Sequence, residues 1–269
     1  MRSTFGIVAG NGAYPATLIR AARRQAPQTK IVGIGFRGET RDEVANLCDE
    51  FEWFHVGQLV KPLQFMLHHG VSEAVMVGQI DPSNLFNLRP DLRALVLLAK
   101  LNRRNAETIF GMVADEAERK GIHVLPATTY MEEFLPSSGP IAGPQPNARQ
   151  MEDARYGIAI AKEISRLDIG QSVIVRHGTV LAVEGYEGTN ACIRRGGELG
   201  HGKHVTLAKV AKPNHDMRFD VPCVGASTIE TCISAGIEQI AVEACRTLLL
   251  EEEQVRELCR KHKIALHAL

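Results

Sequence analysis

At 269 residues and 29.5 kDa the chain exceeds one ordinary hydrophobic core and falls short of three, so two domains of roughly 130 residues each are expected. Its 45% apolar and 23% charged residues match soluble globular proteins, which excludes a disordered or fibrous chain. Thirty-one basic residues balance thirty-one acidic ones, so no global basic field exists to hold a nucleic acid, and any anion site must be local.

The start, Met1-Arg2-Ser3-Thr4, runs straight into a strand-like segment without the features of a secretion signal, and a cytoplasmic protein is expected. Phe5-Gly6-Ile7-Val8-Ala9 reads as a buried strand that breaks at Gly10-Asn11-Gly12, and Pro15 then opens an amphipathic helix to about Gln25. Strand-like runs at 30–35, 51–56, 74–77 and 122–125 alternate with helical patterns at 59–69, 92–101 and 107–120. This alternation predicts an N-terminal Rossmann-like parallel sheet over residues 1–134. The apolar run at 92–101 is far below the ~20 residues of a membrane span.

Residues 135–147 hold four prolines and two glycines without periodicity and read as a linker. A C-terminal mixed α/β domain is expected over 148–269. It begins with a helical repeat at 148–166, then strands at 172–176 and 180–183 around a His177-Gly178 hairpin turn. A helix after Thr189, a strand at 205–210, a loop at 212–222, a helix at 227–235, a strand at 239–242, a charged helix at 251–262 and a strand at 264–266 follow. The expected architecture is thus α/β, two domains with a cleft between them. The six cysteines show no C-x-x-C pair and are expected to be reduced, buried and structural.

Three places could carry chemistry. Gly10, Asn11 and Gly12 follow a buried strand and have the glycines a phosphate-cradling turn needs, and Gly78-Gln79 follows the strand at 74–77. In an open α/β sheet both turns could face one crevice, although ordinary tight turns explain them as well. The spacing is not G-x-G-x-x-G, which argues against a dinucleotide cofactor. Farther on, Glu184 lies just past a hydrophobic strand, where a carboxylate needs a partner, and Glu187-Gly188-Thr189 leads into a helix, with Gln171 on a nearby turn. Last, the stretch 207–222 gathers Lys209, Lys212, Asp216, Arg218 and Asp220, a mixture suited to holding phosphate while carboxylates hold magnesium or water; a solvated turn with surface ion pairs is the plain alternative.

Together, Gly6-Ile7-Val8-Ala9-Gly10-Asn11-Gly12-Ala13-Tyr14-Pro15, Leu167-Asp168-Ile169-Gly170-Gln171-Ser172, Val180 through Thr189, and Lys212-Pro213 through Arg218-Phe219-Asp220-Val221-Pro222 resemble the LpxI-type UDP-2,3-diacylglucosamine pyrophosphatases over nearly the whole chain. The resemblance implies a magnesium-dependent hydrolase of lipid A biosynthesis in Gram-negative bacteria, giving UMP and 2,3-diacylglucosamine 1-phosphate. It implies two domains clasping the substrate, and it puts the essential aspartate on Asp220 through the Arg-x-Asp-x-Pro context. In that expectation Mg2+ bridges the substrate phosphates with Asp220, Asp216 and Glu184 as candidate ligands. Asp220 activates water, Lys209 or Lys212 offsets phosphoryl charge, and Gly10, Asn11, Gly12, Gly78, Gln79, Gln171, Glu187, Gly188 and Thr189 bind substrate. Transient inner-membrane contact is expected, a homodimer is left open, and no nucleic-acid partner is expected. Two departures stand out: Asn190 where the family pattern has aspartate, and Cys245 where it usually has glycine. The first motivates a rival, a catalytically silent binding protein of the same fold.

Overall fold

A computed structural model of the chain describes residues 3–80, 90–101, 106–212, 216–219 and 221–269. It is an α/β structure of two compact units, Met1–Glu132 with Asp216–Asp220, and Glu133–His215 with Val221–Leu269.

The first unit holds strands β1 (Thr4–Ala9), β2 (Lys30–Phe36), β3 (Glu50–Phe54), β4 (Glu73–Val77) and β5 (His123–Val124). All pair in parallel, in the order β3-β2-β1-β4-β5. Between them run helices α1 (Tyr14–Gln25), α2 (Asp42–Leu47), α3 (Val60–His68), α4 (Leu92–Leu98) and α5 (Ala106–Arg119). β1 and β4 read as near-continuous apolar runs because a parallel strand covered on both faces needs apolar side chains on both. Pro15 opens α1, where its missing N–H costs nothing and its fixed φ suits the first turn. The Tyr14 hydroxyl donates to the Ala127 carbonyl at 2.6 Å, tying that turn to the chain beyond β5. Chain order reverses between β1 and β4, which makes their carboxyl ends a topological switch point.

The second unit is a mixed six-stranded sheet, β6 (Gly139–Ala142), β13 (Ala265–Ala268), β11 (Ile237–Val242), β9 (Val205–Lys209), β7 (Ser172–Arg176) and β8 (Thr179–Val183), in that spatial order. β13, β11 and β9 are parallel, while β6, β7 and β8 pair antiparallel to their neighbours. A two-stranded ladder joins β10 (Cys223–Val224) to β12 (Leu248–Leu249). Helix α6 (Ala148–Arg166) buries Ala154, Ile158 and Ala161 with Val173, Val175, Ala208 and Ala241. Helices α7 (Thr189–Leu199), α8 (Ala226–Ala235) and α9 (Glu252–Lys261) bury Ile193, Ile229 and Val255 with Ile174, Leu207, Ile240 and Leu266. Each such side chain contributes about 1.5–3 kcal/mol of transfer free energy. Asn147 and Gln150 form a reciprocal capping box that starts α6. His177 and Gly178 both take positive φ and make the β7–β8 turn, as their sequence predicts, and the buried Asp153 accepts both of their N–H groups at 2.7 Å.

The expected linker at 135–147 needs correction, since four of its residues form β6 beside β13, with Ile141 in the core. Its prolines hid the strand, yet proline is tolerated on a sheet edge, where an N–H need not be donated. The cysteines also divide: Cys192, Cys232 and Cys259 are buried, Cys48 and Cys223 are half-buried, but Cys245 is exposed with φ at 56°.

Candidate active site

In the first unit the two glycine turns meet. The Gly10 N–H donates to Val77 O at 2.8 Å, the Asn11 N–H to Gln79 O at 2.6 Å, and the Gln79 N–H to Asn11 O at 3.1 Å. The contact is possible only without side chains, because a Cβ on Gly10 would lie 2.5 Å from Gln79 O, and one on Gly78 would lie 2.7 Å from Asn11 O. Gly10 and Gly78 therefore have a structural reason that the sequence left open against nucleotide contact. Gly12 differs, since its φ of 94° faces open space, and its N–H is engaged by Asn11 Oδ1 at 2.6 Å. Beside these turns a narrow cavity of about 30 Å³ is lined by Val8, Phe36, Met76, Ile80, Phe110 and Phe219.

Phe219 reaches that cavity because residues 216–219, expected in the C-terminal domain, belong to the first unit, which corrects that expectation. Phe219 packs against Phe110 with ring centroids 5.9 Å apart, and the Ala127 N–H donates to Met217 O at 2.7 Å. Arg218 donates through Nε to both oxygens of Asp216 at 2.9 Å and through Nη2 to Asp115 at 3.2 Å, and these carboxylates hold the guanidinium pKa above its ordinary value. Both Asp216 oxygens thus face a guanidinium. Asp220 lies outside the described residues.

In the second unit the expected residues converge at the carboxyl edge of β9. Glu184 is 6% exposed and Lys209 4% exposed. Thr189 stands between them: its hydroxyl donates to Glu184 Oε1 at 2.8 Å and accepts from Lys209 Nζ at 3.0 Å. The Gln171 N–H donates to Glu184 Oε2 at 3.3 Å, and among the described residues the buried Gln171 Oε1 has no hydrogen-bond partner. β7 runs antiparallel to β9 and β8 antiparallel to β7, so the start of β7, the residue after β8 and the start of α7 all come to the edge where β9 ends. Gly188 caps α7 with φ at 80°, a backbone position that glycine adopts without strain. Next to it, Arg195 Nη2 holds Glu187 Oε1 at 2.5 Å, and that hydrogen bond keeps the Glu187 carboxyl below the usual glutamate range. Lys212 Nζ donates to Asp168 Oδ1 at 2.6 Å.

Several residues that shape this edge escaped sequence reasoning. Arg195 lies eight residues beyond Glu187, and Asp168 lies 44 before Lys212, so neither pairing has a local signature. Glu243, just past β11, accepts the Ala211 N–H at 3.1 Å and pairs with Lys162 at 3.1 Å, fixing the chain where it leaves β9.

Chemically, a buried ammonium at the amino end of an 11-residue helix is a preorganised site for phosphoryl oxygens, since the helix end adds partial positive charge. As a magnesium cradle the described side chains do not suffice. Glu184 has both oxygens hydrogen-bonded, Asp216 faces Arg218, and among the described residues no three His, Cys, Asp or Glu side chains form a metal-holding group.

Comparison with known proteins agrees across the whole chain. The family model of the LpxI N-terminal domain matches residues 4–134, and that of the LpxI C-terminal domain matches residues 137–267. The UDP-2,3-diacylglucosamine pyrophosphatase LpxI of Caulobacter vibrioides is 30% identical over 263 residues, covering 93% of this chain and 91% of that protein. Among solved structures, the ADP-bound biotin carboxylase domain of a thermophilic 2-oxoglutarate carboxylase aligns at 17% identity with a TM-score of 0.28, over 64% of this chain and 34% of that one. The N5-carboxyaminoimidazole synthetase of Staphylococcus aureus with ADP aligns at 14% identity with a TM-score of 0.26, over 77% of this chain and 42% of that one. The chain spans less than half of either, and likenesses this low carry no argument. On two domain models in order and one full-length relative, the chain belongs to the LpxI family.

Proposed function

We propose that the protein is a hydrolase that cleaves the pyrophosphate of UDP-2,3-diacylglucosamine with water, releasing UMP and 2,3-diacylglucosamine 1-phosphate in lipid A biosynthesis. The observation that carries this reading is the buried Lys209–Thr189–Glu184 chain at the start of α7, in a sequence aligned nearly end to end with a pyrophosphatase of that substrate. Lys209 offsets charge that develops on a phosphoryl oxygen, and Thr189 and Glu184 hold its ammonium in place. Asp220 orients or deprotonates the attacking water. Gln171, Glu187 and Gly188 shape the substrate site around α7, and Asn11 and Gly12 offer an open turn to the nucleotide. Magnesium is part of the proposal and would supply charge neutralisation at the phosphates, although the described carboxylates Glu184 and Asp216 do not by themselves assemble its site. The acyl chains of such a substrate imply transient contact with a membrane surface.

The test is UMP release from UDP-2,3-diacylglucosamine in detergent, with magnesium and then with a chelator. Expected are turnover lost on chelation and restored by magnesium, and turnover lost in Asp220→Asn. Wild-type turnover in Asp220→Asn would remove that residue from the mechanism. Tight binding by calorimetry without UMP release would favour the silent binding protein that Asn190 suggests.

A further inference from the structure

We propose that the exposed apolar face of α3 and α4 is the surface by which the protein docks on an anionic phospholipid membrane. α4 has the sequence Leu-Arg-Ala-Leu-Val-Leu-Leu and cannot bury all of it. Ala94 and Leu97 turn inward and pack with Leu59, Leu63, Met112 and Val113. Leu92 at 79%, Leu95 at 51% and Val96 at 45% exposure turn outward, and Val60 on α3 joins them. Between the two helices runs an open groove of about 610 Å³, lined by Val60, Lys61, Gln64, Leu92, Arg93 and Val96 among others.

The charges around this face select the occupant. Lys61 and Arg93 are exposed in its lining, and Lys100 is exposed two residues past the end of α4. Asp91, also in the lining, stays anionic and accepts the N–H groups of Leu59, Val60 and Ala94 at 2.7–2.9 Å, so the face keeps its positive excess only through Lys61, Arg93, Arg119 and Lys100 against Asp91 and Glu116. Glu116, which pairs with Arg93, is buried beneath Arg93 and Arg119. Exposed leucine and valine with a cationic rim complement an anionic headgroup layer, where apolar side chains enter the acyl boundary and lysine and arginine meet the lipid charge. A second copy placed against this face would bring the same three cations together. No helix among the described residues is long and apolar enough to cross a membrane, so the contact is interfacial. The inference rests on the proposed function, whose diacylated substrate resides in a bilayer.

Full-length protein is sedimented with vesicles of phosphatidylglycerol and phosphatidylethanolamine, and with phosphatidylcholine alone, in the absence of substrate. Wild type should bind the anionic vesicles, less so at high salt. Leu92→Glu/Leu95→Glu should partition about tenfold or more weakly while keeping its melting temperature and its turnover of detergent-dispersed substrate. Wild type that ignores anionic vesicles, or a variant that binds like wild type, would overturn the proposal. So would light scattering in which the variant turns a dimer into a monomer with vesicle binding unchanged. Vesicle binding lost in the variant, in a protein that releases no UMP, would support the docking face while removing the hydrolase.

Discussion

Replacing Thr189 by valine removes a hydroxyl with little change in volume, yet the structure predicts a large effect. That hydroxyl serves Glu184 Oε1 and Lys209 Nζ at once, and both groups are buried. Each buried group left short of a partner costs about 1–3 kcal/mol, and breaking a buried charged arrangement costs about 3–5 kcal/mol. Thr189→Val should therefore lose about 3 kcal/mol, which lowers the unfolding midpoint by about 10 °C in a unit of this size. Thr189→Ser keeps the hydroxyl and should recover most of it. Thermal and urea unfolding followed by circular dichroism measures both. A valine variant within about 0.5 kcal/mol of wild type, the range of an ordinary surface substitution, would show that the three residues are not a mutually dependent chain.

Two further outcomes follow from the geometry. Gly10→Ala should destabilise the protein by more than about 2 kcal/mol, because its Cβ meets backbone, whereas Gly12→Ala, with open space and only φ strain, should cost about 1–2 kcal/mol; comparing the two melts checks the order. Burial holds the His267 imidazole pKa below its ordinary value, so its native form stays neutral while the unfolded chain takes up a proton below about pH 6.5. Stability should then fall from pH 7 toward pH 5 more steeply in wild type than in His267→Gln, as read from urea midpoints across that range, and parallel slopes would refute the assignment.

Much of the architecture was legible because period-2 and period-3.6 patterns are local. Glycine turns, the proline opening α1 and the His177-Gly178 hairpin all act within a few residues. What escaped depends on contacts distant in sequence. β6 is held by β13, more than 120 residues away, and its prolines disguise it as a linker. Residues 216–219 take their partners, Asp115, Phe110 and Ala127, from the first unit, although their neighbours in sequence belong to the second. Of the candidate site, Glu184, Thr189 and Lys209 were legible as polar residues at strand and helix ends. Their joining into one chain was not, since it depends on β7 pairing antiparallel with β9 and β8 antiparallel with β7.

The most direct measurement is hydrolysis of UDP-2,3-diacylglucosamine in oxygen-18 water, with mass analysis of both products. Water attack on the pyrophosphate predicts one heavy oxygen in either UMP or the diacylglucosamine phosphate, and none in the other. Intact substrate, or products that both lack the label, would contradict it.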